Sequence, residues 1–355
     1  MTVIDAHTHI LTEAMIAAIA RDVPSLAPKL TRVDDESAIL EILDVKQNPF
    51  PRAAWDLERR FADMAAQRVD MHVVCNIPHT FLYEADAGAA STVAEIQNEA
   101  IGALCRQHPD RFMGLATAAM QDPARAAATI ERAVTAHGLR GLHLGSNIAG
   151  RNLDDPALDA VWEVLDRHAL LVLVHPHKVV AAERMRGYYL TNLVGNPLET
   201  TIAAASLIFG GVIERHPSIR FLLSHAGGFV PFQAGRFRHG WKVRPEPRAR
   251  LKGDPAESLG RLLYDSITHA SGALRFLLDE VGPAAHEHID AVLAAEVVAI
   301  HIQRQTLDGG AHGSVEEHNA LRRAAQEKAH GGLRDGDARR RPGRSQQGSR
   351  RPEGA

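Results

Sequence analysis

Leu170-Leu171-Val172-Leu173-Val174-His175-Pro176 sets a histidine at the end of an unbroken apolar run. A run without in–out alternation suits a strand buried on both faces, as in a parallel sheet covered by helices. Phe221-Leu222-Leu223-Ser224-His225, followed by Ala226-Gly227-Gly228, repeats the pattern. Working outward, strand candidates lie at residues 2–10, 72–77, 112–118, 141–145, 170–176, 220–225 and 262–267. Apolar residues at helical spacing fill the intervals at 53–68, 90–108, 123–137, 156–168, 198–215 and, more briefly, 255–261. Alternation of this kind predicts βαβ units and a parallel sheet. Seven strands, most with a helical partner, point to an α/β fold of the TIM-like (β/α)8 barrel type. The competing open, doubly wound sheet finds no Gly-x-Gly-x-x-Gly after the first strand to support it.

Residues 11–51 break the alternation. They show few strand signals and read as an insertion over the catalytic mouth of the barrel. The 355 residues are 45% hydrophobic and 23% charged, which allows a substantial core and argues against general disorder. Texture changes after Gly282, and 309–355 is rich in Gly and Arg without apolar periodicity. The expected division is therefore a barrel domain over 1–308 and a disordered basic tail over 309–355. A net charge of -3 gives the chain as a whole no basic character, so no nucleic-acid partner is expected. The opening MTVIDAHTHI has no leader pattern, and no run of about 20 apolar residues is present, so a cytoplasmic protein without membrane contact is expected. Cys75 and Cys105 are the two cysteines and read as free thiols, not a disulfide framework.

The chemistry rests on where histidines fall. His7 and His9 lie two apart near the end of the first strand, so they share a face. His175 and His225 close two further strands. Three strands thus deliver imidazoles to the C-terminal face of a barrel, where barrel active sites sit. His7, His9 and His175 are the candidate metal ligands. His177 follows Pro176 and reads as a rim residue. Asp265, in LLYDSITHA, reads as a ligand, a group supporting a histidine, or a substrate contact.

Together the HxH strand, the VHP motif, the stretch NLVGNPLETTIAAASLIFGGVIERHPSIRFLLSHAGGFVPFQAGRFRHG and YDSITH resemble the amidohydrolase-related (amidohydrolase 2) family, on its decarboxylase branch. The likeness runs from Met1 to about Gly282. It implies a distorted (β/α)8 barrel holding one divalent metal ion, usually Zn2+, on His7, His9 and His175. It also implies that His225 acts on a metal-bound water. Arg236 matches an arginine that reaches the substrate carboxylate of the neighbouring subunit, which implies a homodimer and a small carboxylate substrate.

Two positions depart from that branch. Its substrate arginine falls at Asn48, counted back from Trp55, and its tryptophan falls at Asn192. Both concern substrate recognition, so a different substrate is expected. A third departure concerns the metal. The Gly-Thr/Ser-Asp-Tyr-Pro-Phe motif of the eighth strand is missing after Gly282, and Glu296 in DAVLAAE is the nearest substitute ligand, within the apolar run 291–302. Decarboxylation of a small unsaturated or aromatic carboxylate is the leading expectation. Hydrolysis of a C–N or C–O bond, and an inactive barrel lacking its last ligand, stay open.

Overall fold

The computed structural model describes residues 3–281. Strand β1 (Ile4–Ile10) is followed by helix α1 (Glu13–Asp22), which Thr12 caps by accepting a hydrogen bond from Met15 N. Next comes an antiparallel sheet of β2 (Lys29–Arg32), β3 (Ser37–Ile42) and β4 (Val45–Pro51), in the order β2-β3-β4. This corrects the expectation of few strands in 11–51. Only β3 alternates clearly, burying Ala38, Leu40 and Ile42, while β2 and most of β4 are solvated and carry little apolar pattern.

The βα repeat then begins. Helix α2 (Leu57–Gln67) precedes β5 (Met71–Asn76), α3 (Ala87–Gln107) precedes β6 (Phe112–Gly114), and α4 (Pro123–Thr135) precedes β7 (Gly141–Gly145). Asp56, Asp86 and Asp122 cap the three helices by accepting from the backbone N–H three residues on. Helix α5 (Asp159–Arg167) leads to β8 (Leu171–His175). The helix expected at 198–215 is two, α6 (Asn196–Phe209) and α7 (Val212–Arg215). Gly211 separates them with φ +70°, a left-handed conformation that ends a helix. Strand β9 (Arg220–Leu223), helices α8 (Val230–Val243) and α9 (Pro255–Leu259), strand β10 (Leu263–Tyr264) and helix α10 (Ser271–Val281) complete the described chain.

Strands β1, β5 and β6 form one parallel set, and β7, β8, β9 and β10 another. A parallel bridge between Ala116 and Leu142 joins them, with Ala116 N donating to Gly141 O and His143 N to Ala116 O, both at 2.8 Å. Seven parallel strands therefore follow one another in chain order, at the seven places expected. The run 291–302, expected to supply the eighth, lies outside the described residues, as does the tail 309–355.

The interior is filled from alternate positions of successive strands. Ile4, Ala6, Val73, Cys75, Met113, Leu115, Leu171, Leu173, Leu222 and Leu263 make one buried cluster. Gly141 faces the same space, where a Cβ would stand 2.2 Å from Leu171 O and 2.7 Å from Leu115 Cδ2. The opposite faces meet the helices, as where Phe221 packs edge-on against Trp162 of α5. Strands buried on both faces explain the unbroken apolar runs of β8 and β9.

Candidate metal centre

At the C-terminal ends of the strands the packing changes from aliphatic to imidazole. The rings of His7 and His9 are 5.0 Å apart between centroids, and His175 lies 5.3 Å from His7 and 5.2 Å from His9. His225 flanks this triangle at 5.8 Å from His7 and 5.3 Å from His175. A fifth ring, His143, flanks the other side at 5.2 Å from His9 and 5.6 Å from His175.

Hydrogen bonds on the far side of each ring fix which nitrogen carries the proton. His7 Nδ1 donates to Asp265 Oδ2 at 2.9 Å, His9 Nδ1 to the carbonyl of Asn76 at 3.0 Å, and His175 Nδ1 to the carbonyl of Pro176 at 2.9 Å. In its neutral form each ring then has a bare lone pair at Nε2. Yet His7 Nε2 and His9 Nε2 stand only 3.2 Å apart, two acceptors face to face. A cation between them resolves that repulsion, and one donor atom from each of His7, His9 and His175 lies within 4.8 Å of the others. Burial, reinforced by the neighbouring imidazoles, pushes the pKa values of His9 and His175 well below the usual histidine range, which keeps both neutral and ready to ligate. The donor set fits a divalent ion.

Asp265 is placed differently from a substrate contact. It is fully buried, and both its oxygens are engaged by the protein: His7 Nδ1, His225 N at 2.7 Å, Ala226 N at 2.7 Å and Ile267 N at 3.1 Å. The two successive N–H groups come from a left-handed turn, with φ +54° at His225 and +56° at Ala226, the kind of concave backbone that binds an anion. Burial works against the carboxylate. The His7 hydrogen bond, the His7 and His225 imidazoles and the Ala226 N–H outweigh it and hold the carboxyl below its usual range. Asp265 therefore stays ionised and orients His7.

His225 takes its place through the same turn. Burial pushes its pKa down to about 4 against the opposing pull of Asp265, so the ring is neutral near pH 7. Its Nδ1 is buried and has no hydrogen-bond partner among the described residues. His177 stays at the rim, its Nε2 3.2 Å from Glu84 Oε1 and its ring against Phe81 and Tyr83. Asn192, on a π-helical turn (Thr191–Gly195), and Arg236, on α8, are both exposed. Glu296 lies outside the described residues.

The sequence reading missed His143. Its Nδ1 donates to Asn76 Oδ1 at 2.9 Å, an assignment fixed because Asn76 Nδ2 donates to Ile77 O and Thr80 Oγ1. The signal was the alternation Gly141-x-His143-x-Gly145, which puts two glycines and one imidazole on the inner face of β7.

The family model described as amidohydrolase (Amidohydro_2) matches residues 4–294. The chain belongs to the amidohydrolase family. The 2-amino-3-carboxymuconate-6-semialdehyde decarboxylase of Dictyostelium discoideum is 36% identical over 229 residues, 64% of this chain and 64% of that protein. The match thus spans less than two thirds of that relative's length. Among solved structures, the 5-carboxyvanillate decarboxylase of Sphingomonas paucimobilis superimposes with a TM-score of 0.67 at 25% identity, covering 79% of this chain and 86% of its own. The dihydroxybenzoic acid decarboxylase of Polaromonas sp. JS666, solved with manganese and 2-nitroresorcinol, gives a TM-score of 0.63 at 19% identity, covering 79% and 84%. The architecture is the TIM-barrel fold of these amidohydrolases.

Proposed function

We propose that this amidohydrolase is a metal-dependent decarboxylase of a small aromatic or unsaturated carboxylate. The observation that carries the reading is the convergence of three Nε2 lone pairs, from His7, His9 and His175, with their protons held on the outer side by Asp265, Asn76 and Pro176. The decarboxylases among its relatives supply the reaction type.

His7, His9 and His175 would hold the ion, with Glu296 as the remaining ligand proposed from the sequence. When bound, the ion supplies Lewis acidity and attraction for a carboxylate. Loss of CO₂ leaves a carbon that must gain a proton, and the His225 imidazole would relay it. Arg236, exposed on α8, would reach the substrate carboxylate of a second copy in a homodimer as a bidentate clamp. Asn192, exposed in the segment after β8, would border the substrate, as the family likeness implies. Asn48 and Asn192, in place of an arginine and a tryptophan, support a substrate other than the amino-carboxymuconate semialdehyde of the Dictyostelium relative. Zinc is the ion we expect; the manganese of the Polaromonas enzyme is the competing choice. No described helix is long and apolar enough to cross a membrane, in keeping with a cytoplasmic location.

The test is product analysis. Purified protein loaded with Zn²⁺ or Mn²⁺ is offered hydroxybenzoates, vanillate-type dicarboxylates and muconates, and CO₂ release is followed with loss of the carboxylate. CO₂ in step with substrate loss, abolished by His225→Asn, supports the proposal. Release of an amine or alcohol from amide or ester analogues, without CO₂, replaces it with the hydrolase reading.

A further inference from the structure

Strand β1 is not regular. Its pairing with β5 runs Asp5 to His72 and then Thr8 to Val74, so three residues of β1 span two of β5, a one-residue bulge. The bulge decides which face the histidines take. Before it, Ile4 and Ala6 point into the barrel with Val73 and Cys75, and Asp5 points outward beside His72. Unbroken alternation would next turn Thr8 inward and send His7 and His9 out toward the helices. The extra residue reverses the phase: His9 pairs beside Cys75, and His7 meets Asp265 at the end of β10.

Two buried groups sit at the irregularity. Asp5 Oδ1 accepts a hydrogen bond from His7 N at 3.1 Å, at the displaced backbone itself. Arg60 of α2, 3% exposed, donates through one terminal nitrogen to the carbonyl of His9 and through the other to His72 Nδ1 at 3.2 Å. A buried guanidinium is expensive unless paired, and burial pushes the pKa of Arg60 down to about 10 while Asp5 opposes that shift. An ordinary outer-layer position would be apolar. The carboxylate and the guanidinium instead grip the backbone on either side of the bulge.

We propose that Asp5 and Arg60 are positioning residues of the metal centre, holding the β1 bulge that turns His7 and His9 to the barrel interior. The inference rests on the metal-site reading above. It deepens that reading by assigning the ligand geometry to a charged couple on the opposite face of the strand. Bulges beside active sites re-aim side chains in this way.

The experiment measures metal affinity rather than turnover. Full-length wild type, Asp5→Ala, Asp5→Asn and Arg60→Met are titrated with Zn²⁺ against a chromophoric chelator, and their Co²⁺ forms are compared by visible absorption. Circular dichroism identifies temperatures at which each is folded. Ile130→Ala, a core truncation in α4, controls for general destabilisation. The expected result is a loss of about 10- to 100-fold in affinity for Asp5→Ala and Arg60→Met, with an altered Co²⁺ spectrum. Asp5→Asn, which keeps the acceptor for His7 N, recovers part of the loss, and Ile130→Ala binds as wild type. If Arg60→Met does not fold, Arg60→Lys decides, since a single ammonium reproduces only part of the fork and affinity still falls. Wild-type affinity and spectrum in Asp5→Ala and in the Arg60 variant, or an equal loss in Ile130→Ala, overturn the proposal. His7→Ala run alongside separates the two readings: if it too retains the metal, the metal site itself is wrong, and if it loses the metal while the others do not, only the positioning role falls.

Discussion

Asp265 Oδ2 stands 2.9 Å from His7 Nδ1 across 258 residues of chain, and the same carboxylate receives the backbone N–H groups of His225 and Ala226. One anion thus orients a candidate ligand and the turn that carries the candidate proton relay. Asp265→Asn leaves one acceptor oxygen where two are used and sets an NH₂ against N–H donors. The expected outcome is about a 10- to 100-fold fall in metal affinity, with a lower melting temperature. Elemental analysis after dialysis, with a thermal melt, checks both.

Ligand and relay separate by metal content. His7→Ala and His175→Ala each remove one of three imidazoles and should leave the purified protein largely metal-free. His225→Asn should retain metal close to wild type while turnover falls by about 10²- to 10⁴-fold. Metal lost together with activity in His225→Asn would move His225 into the ligand set.

Asn76 serves two rings, His9 through its backbone carbonyl and His143 through its side chain. Asn76→Ala keeps the first bond and deletes the second. It leaves a buried His143 nitrogen unpaired and should cost about 1–3 kcal/mol of stability, read as a shift of the urea midpoint. His9 keeps its tautomer, so metal content is expected to hold.

Acid should destabilise the fold before it protonates the carboxylates. Burial pushes the His72 pKa down to about 3, with Arg60 and Arg111 adding to the shift, and burial also leads the downward shift of His143. A histidine depressed in the folded state binds its proton more readily when unfolded. Its contribution is therefore complete above the unfolded pKa, about 6.5, and is lost as pH falls from there toward 3. Each such histidine adds a slope of up to about 1.4 kcal/mol per pH unit within that window. Denaturant midpoints should hold from pH 7.5 to about 6.5 and fall from there to pH 5, and His72→Gln should flatten that fall. A midpoint independent of pH across this range would contradict the assignment.

The sequence made the barrel legible because β8 and β9 are buried on both faces, and it made four imidazoles legible because His175 and His225 close such runs and His7 and His9 lie two apart on the first strand. The β2-β3-β4 sheet was not legible, since β2 is exposed along most of its length and leaves no apolar period. Helix α8 hid for a similar reason: Gly235 and Gly240 interrupt it, and Val230 and Pro231 are its only fully buried residues. A two-residue spacing shows that His7 and His9 share a face but not which one. That choice lies in the register between β1 and β5, fixed by a partner strand some 65 residues away. Arg60, within LERRF, carries no pattern that sets it apart from its neighbours, and only the fold reveals it under the first strand.

The hydrogen bond from His7 on β1 to Asp265, just after β10, also orders events during synthesis. His7 and His9 are made before His175, and the carboxylate that turns His7 toward them comes only at residue 265. A nascent chain shorter than that carries imidazoles but no fixed tautomer at His7 and no completed cradle. Ion capture at this candidate site would thereby require a chain translated and folded through residue 265.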